Sequence, residues 1–225
     1  NPTGTVLTRQ ELSAIGAEAQ RVDAIVVTDE VYEHLVFDEA EHVPIASLPG
    51  MRERTLTISS SGKTFSLTGW KIGWVTGPAA LIDAMLAVKQ FLTFTSGAPF
   101  QGAIAEALGE RGDADVTDLR DTLAFRRDLL LAGLQGAGFA TVRPDGTYFV
   151  CADASPFLSD EVADGAAFAR WLPEAIGVAC VPLSAFCREG SPTASALANW
   201  VRFTFVKRED TLRTAIERLA GLSRG

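Results

Sequence analysis

Hydrophobic and polar positions follow two rhythms along this chain. Leu12, Ile15 and Ala19 recur at helical spacing, and Thr8 with Glu11 has the pattern of a capping box, so a helix is predicted over 8–21. The run Ala24-Ile-Val-Val-Thr-Asp29 is apolar almost to its final acid, as in a strand buried in a parallel sheet. Short strands are also predicted at 55–59 and 72–76. After Pro78 a helix carries Leu81, Met85, Val88 and Leu92 on one stripe. Gly97-Ala-Pro99 interrupts it, and another helix runs to about Gly109.

The short polar segment 109–115 reads as a domain boundary. Beyond it, 116–135 is predicted as a long amphipathic helix with Arg126 and Arg127 on a solvated face. Strands follow at 139–142 and 147–152, a helix at 164–176, and strands at 178–182 and 201–206. A closing helix over 209–222 turns Leu212, Ile216 and Leu219 inward. Trp171 and Trp200 read as core of this second part, and Phe65, Trp70 and Trp74 as packing around the loop of residues 59–74. Strands alternating with helices place the chain in the α/β class. A mostly parallel sheet flanked by helices is expected over 1–112, and a smaller α+β domain over 113–225.

Composition narrows the function classes. Hydrophobic residues make up 47% of the 225 and charged residues 21%, ordinary for a globular protein. A formal charge of −8 without a basic run argues against a nucleic-acid partner. No apolar stretch reaches the roughly 18–20 residues of a membrane span, so no membrane partner is expected either. The three cysteines, Cys151, Cys180 and Cys187, lack metal-ligand spacing and read as free thiols in a reducing cytoplasm. His34 and His42 read as loop residues, and no metal is expected.

The chemistry concentrates in residues 59–74. Lys63 follows Gly62 and is surrounded by the hydroxyls of Ser59, Ser60, Ser61, Thr64 and Ser66, with an apolar run behind. A lysine that bonds an aldehyde needs a small neighbour, hydroxyl donors for an anionic ligand, and apolar walls that keep its amine partly neutral. Lys63 is therefore the candidate anchor of a covalent cofactor. Asp29 closes a strand, where ligands of open α/β sheets gather, although a turn cap explains it equally well when taken alone. Beside Lys63 it suits the anion that keeps a pyridine nitrogen protonated, with Tyr32 or Asn1 as donor to a phenolic oxygen. Arg202 sits in the apolar β-type segment Asn199-Trp-Val-Arg-Phe-Thr-Phe205, where a guanidinium must find an anion, either a structural carboxylate or a substrate's.

Together, Asn1-Pro-Thr-Gly4, Thr28-Asp-Glu-Val-Tyr32, Ser60-Ser-Gly-Lys63 and Trp70-Lys-Ile-Gly-Trp74 resemble the class I/II aminotransferases, pyridoxal 5′-phosphate enzymes of fold type I. The resemblance implies that Asn1 and Tyr32 hydrogen-bond the cofactor's phenolate oxygen and that Asp29 pairs with its ring nitrogen. It further implies that Lys63 holds the cofactor and then moves the substrate proton, that Ser60 and Lys71 hold the phosphate, and that Arg202 grips the substrate carboxylate. Glu33-His-Leu-Val-Phe-Asp38, Ser96-Gly-Ala-Pro-Phe-Gln101, Gly146-Thr-Tyr-Phe-Val-Cys-Ala-Asp153 and Pro182-Leu-Ser-Ala-Phe-Cys187 resemble the actinobacterial N-succinyldiaminopimelate aminotransferases of lysine biosynthesis.

The implied partners are an amino acid and a 2-oxo acid, in a cytoplasmic homodimer with residues 93–100 near the subunit contact. Kynurenine, glutamine and methionine aminotransferases share the background. A cysteine-S-conjugate β-lyase, or a non-catalytic aminotransferase-like regulatory module, are the alternatives. The chain opens on Asn-Pro-Thr-Gly without a methionine. The resemblance therefore implies a C-terminal piece lacking an upstream phosphate loop and a ring-stacking aromatic, which alone binds the cofactor weakly or not at all.

Overall fold

The computed structural model describes residues 1–95, 97–109 and 112–222. The chain forms two compact units, Val6–Arg120 and Asn1–Thr5 with Asp121–Gly225. The division falls inside a helix, not in the polar segment 109–115, of which Glu110 and Arg111 lie outside the described residues. Ser96 of the segment 93–100 lies outside them too. No described helix is long and apolar enough to cross a membrane.

In the Val6–Arg120 unit, helix α1 (Arg9–Arg21) begins with the predicted capping box. The Thr8 hydroxyl accepts from the Glu11 backbone N–H, and the Glu11 carboxylate accepts from the Thr8 N–H at 2.8 Å. Its buried positions are Gly16 and Ala19, not Ile15, which is exposed. Ala19 joins Val43, Ile45, Leu48 and Met51 in a core against which Leu12, Ala24 and Val26 pack.

Strand β1 (Val26–Asp29) runs parallel to β2 (Thr55–Ser60), and β3 (Gly73–Thr76) pairs antiparallel with β2. The apolar run at 24–29 predicts a buried strand, but β1 is an edge of this sheet among the described residues. Val26 faces the core while Val27 is 60% exposed and Asp29 lies at the surface. A one-residue step changes the face of a strand, so apolar character on both faces shows as exposure wherever one face is uncovered.

One-turn helix α2 (Ser61–Thr64) follows β2, and α3 (Ala79–Leu92) follows β3. The half-buried stripe of α3 runs through Leu81, Ile82, Met85 and Lys89, whereas Val88 and Leu92 of the predicted stripe are exposed. Helix α4 (Ala98–Ala107) begins with Pro99 in its first turn, where the missing N–H costs nothing.

The second unit is built on an antiparallel sheet of β4 (Ala140–Val142), β5 (Phe149–Asp153), β6 (Val181–Pro182) and β7 (Trp200–Thr204), in the order β4-β5-β7-β6. Val150, Ala152, Val201 and Phe203 alternate to one face and are buried, as are Leu134 of α5 (Gly112–Ala137), Phe168 and Leu172 of α6 (Gly165–Ile176), and Leu212 and Leu219 of α8 (Glu209–Ala220). Phe139 meets Phe203 and Phe168 edge-on, with ring centres 5.9 and 6.1 Å away. A short helix α7 (Pro192–Ala196), capped by the Ser191 hydroxyl, was not foreseen from the pattern.

The strand predicted at 178–182 forms only over Val181–Pro182, and two expectations of burial also fail in this unit. Arg127 is not on a solvated face. It is 1% exposed, with its Nε donating to Asp128 at 2.8 Å and its Nη1 to the Pro144 carbonyl. Trp171 is not core but 37% exposed, its ring leaning on Phe168.

Candidate active site

The backbone around Lys63 is set by a tight stitch. Ser60 ends β2 in extended conformation, and the chain turns at once into α2. Ser61, fully buried, donates to the Ile72 carbonyl with both its backbone N–H (3.1 Å) and its hydroxyl (3.0 Å). The Thr64 hydroxyl donates back to the Ser60 carbonyl. Lys63 is thus held half-buried between two fixed neighbours. Gly62 keeps the loop narrow, since a Cβ there would lie 3.2 Å from Thr68 Cα and 3.5 Å from Ser60 Oγ. Lys71 stands in the left-handed region, φ 58° and ψ 38°, directly after the 3-10 turn Thr68–Trp70.

These residues converge. A cleft of about 650 Å³ is lined by Ser60, Gly62, Lys63, Thr68 and Lys71, with Ile58, Ile72 and Met85 as apolar walls. Lys63 Nζ lies 5.8 Å from the centre of the Tyr32 ring. Asp29 and Tyr32 are not among the described lining residues. Asp29 ends β1, and its Oδ1 accepts from the Val31 N–H at 3.2 Å, so the turn-cap role is realised. Phe65, Trp70 and Trp74 are half-buried around this loop, Trp70 stacking on Phe100 at 4.6 Å.

The other face of the sheet carries a network that the sequence reading missed. Glu30 is 7% exposed and accepts from the Thr28 hydroxyl at 2.8 Å, while its second oxygen meets His42 Nε2 at 2.8 Å. Burial works to raise the Glu30 carboxyl. The hydrogen bonds from His42 and Thr28, the His42 charge and the Ile45 N–H outweigh it, holding the group below the usual range. The Ser59 hydroxyl donates to the Glu33 carboxylate, tying the turn that bears Tyr32 to the strand that bears Ser60. His42 lies in a loop, as expected, and is also the partner of buried Glu30. Glu30, Glu33 and His42 offer ligand atoms within 4.8 Å of one another, but the two Glu30 oxygens are engaged by the Thr28 hydroxyl and the His42 imidazole, and one Glu33 oxygen by the Ser59 hydroxyl. The period-two spacing of Thr28 and Glu30 was the available signal. His42 had none, because its partner is 12 residues away.

Asn1 and Arg202 lie in the other unit. Gly4 (φ 77°) anchors the Asn1–Thr5 segment, its carbonyl accepting from the N–H groups of Asp145 and Gly146 at 2.9 Å, and a Cβ there would collide with Pro144. Arg202, on β7, donates through Nη1 to Asn1 Oδ1. All three cysteines are free thiols; Cys151 is buried opposite Arg202, and burial pushes the Cys180 thiol up to about 12.

A family model described as aminotransferase class I and II matches residues 1–219. The chain belongs to the class I and II aminotransferases. It is 53% identical over 224 residues to a probable N-succinyldiaminopimelate aminotransferase, DapC, of Mycobacterium tuberculosis, an alignment that covers 99% of this chain and 56% of that protein. The structure of the M. tuberculosis N-succinyldiaminopimelate aminotransferase superposes with a TM-score of 0.93 at 52% identity, covering 99% of this chain and 56% of the other. Kynurenine–oxoglutarate transaminase 3 of Mus musculus is 43% identical over 166 residues, 71% of this chain and 36% of that protein. The architecture is that of the fold type I aminotransferases, and the chain spans a little over half the length of the mycobacterial relative.

Proposed function

We propose that this chain supplies the lysine-bearing part of a pyridoxal 5′-phosphate-dependent aminotransferase. The enzyme would move an amino group between an amino acid and a 2-oxo acid, acting on N-succinyldiaminopimelate with the glutamate/2-oxoglutarate pair. The observation that carries the reaction class is the convergence of Lys63, Ser60, Thr68 and Lys71 on one cleft, in a chain of this family. The substrate rests on 53% identity with the mycobacterial protein across 99% of the chain. Identity of 43% to a kynurenine transaminase supports a second substrate reading over a shorter stretch.

The donor set fits the cofactor. Three ammonium groups, of Lys63, Lys71 and Lys89, and the hydroxyls of Ser60 and Thr68 suit a phosphate and an aldehyde, and Ile58, Ile72 and Met85 suit a ring. When bound, pyridoxal phosphate supplies an electron sink for the bonds at the substrate's α-carbon. Lys63 would anchor it and, once displaced, carry the α-proton on Nζ. Ser60 and Lys71 would hold the phosphate, Asp29 the ring nitrogen, and Tyr32 and Asn1 the phenolic oxygen. Arg202 would orient the substrate through its carboxylate. The complete enzyme is read as a homodimer. Phe91, Leu92 and Phe94 are 84%, 78% and 79% exposed, which suits a covered surface around residues 93–100.

The test is Lys63→Ala in the protein with its upstream residues. Transamination should fall by about 10²- to 10⁴-fold or more, and borohydride reduction should leave no cofactor mass on the peptide containing position 63. Turnover at the wild-type rate would overturn the proposal.

A further inference from the structure

Arg202 is held by more than Asn1. Its guanidinium carbon lies 3.8 Å from the centre of the Phe149 ring and 4.4 Å from that of Phe186. Both are well inside the roughly 6 Å at which a ring face attracts a cation. The rings come from separate elements. Phe149 opens β5, two residues before Cys151, which stands opposite Arg202 in the antiparallel register, so ring and guanidinium share one face of the sheet. Phe186 closes the 3-10 turn Leu183–Phe186, which follows β6, and Val181 of β6 is the other register partner of Arg202.

Packing alone does not explain Phe186. The ring is 44% exposed, while the turn that carries it is anchored by Leu183 at 1% exposure and closed by the Cys187 N–H donating to Ser184. What the turn presents to the sheet is a ring over a guanidinium, a contact that attracts the cation. A guanidinium whose flat side lies on aromatic surface keeps its in-plane N–H fork as the approach for an anion, the geometry that suits a carboxylate. A free arginine side chain would have to be ordered on each binding event, at a cost in affinity that preorganisation removes.

We propose that Phe149 and Phe186 are positioning residues for Arg202, fixing the plane of its guanidinium so that the fork is presented edge-on to a substrate carboxylate. This rests on the assignment of Arg202 as the carboxylate ligand, and the experiment separates the two. In the full-length holoenzyme, the affinity of glutarate, a carboxylate probe that carries no reacting amine, is measured by calorimetry. KM and kcat for the amino donor are measured alongside it. The proteins compared are wild type, Phe186→Leu, Phe149→Leu, Phe186→Tyr and Arg202→Lys.

Each leucine variant should weaken glutarate and raise KM by about 3- to 30-fold, the span between an exposed and a desolvated cation–π contact, with KM moving more than kcat. Phe186→Tyr, which keeps a ring face, should restore both. If Arg202→Lys weakens glutarate and neither leucine variant does, the positioning role is wrong and the carboxylate assignment stands. If Arg202→Lys binds glutarate like wild type, the carboxylate assignment fails and the inference with it. A leucine variant that loses kcat and melting temperature together, with glutarate affinity unchanged per folded molecule, shows ordinary packing and overturns the proposal.

Discussion

Lys71 should set stability and cofactor affinity against each other. It occupies the left-handed region at φ 58° and ψ 38° and lines the cleft with Lys63. A residue with a Cβ is disfavoured in that conformation by about 1–2 kcal/mol. Glycine removes that strain but makes the unfolded chain more flexible, which costs about 0.4–1 kcal/mol. Lys71→Gly should therefore be more stable than Lys71→Ala by up to about 1.6 kcal/mol, the difference between those two terms. Both variants lose the ammonium group. A hydrogen bond to a charged phosphate contributes about 1.5–3 kcal/mol, so both should bind pyridoxal phosphate about 10- to 150-fold more weakly. The assay pairs urea unfolding of the cofactor-free full-length protein with a cofactor titration followed by tryptophan fluorescence. A Lys71→Gly protein that binds as tightly as wild type refutes the phosphate contact. One less stable than Lys71→Ala refutes the strain argument.

Two further outcomes test the surrounding structure. In α5, a Cβ on Gly133 would lie within 2.7 Å of three side-chain carbons of Ile216, whereas one on Gly136 meets nothing within 4 Å. Gly133→Ala should thus lose about 1–2 kcal/mol despite better helix propensity, and Gly136→Ala should gain up to about 1 kcal/mol, as read from denaturant midpoints. Glu30 has its folded pKa depressed below 4.5, so its contribution is present above that value and disappears as pH falls through the folded pKa. Glu30→Gln should accordingly flatten the acid limb of a stability-against-pH curve below about pH 5, and an unchanged limb would show that Glu30 is not linked to folding.

Much of the fold was legible because its signals are local. Thr8 and Glu11 sit three residues apart, and their box formed at the predicted place. Strands β2 and β3 and helices α6 and α8 fall within a few residues of their predicted spans. Burial was less legible. The spacing of Leu81, Met85, Val88 and Leu92 is helical, but Ile82 and Lys89 share the half-buried face in place of the last two. Arg127 looked like a solvated charge because the Pro144 carbonyl that accepts from it is 17 residues away. Around the candidate site, the lysine loop was readable from the order of neighbouring residues, whereas the pairing of Glu30 with His42 and of Ser59 with Glu33 was not.

What the sequence determined by itself is the chemistry on offer and the short-range geometry that presents it: a lysine after a glycine among hydroxyls, an acid at a strand end, an arginine in an apolar strand. Only the tertiary structure decided which groups meet. It paired Ser59 with Glu33 across 26 residues, Glu30 with His42 across 12, and Asn1 with Arg202 across 201. It also laid Phe149 and Phe186 against that same guanidinium. Local patterns follow from covalent spacing and backbone hydrogen bonding. These contacts depend instead on how strands register and turns close, and neighbouring residues do not encode that.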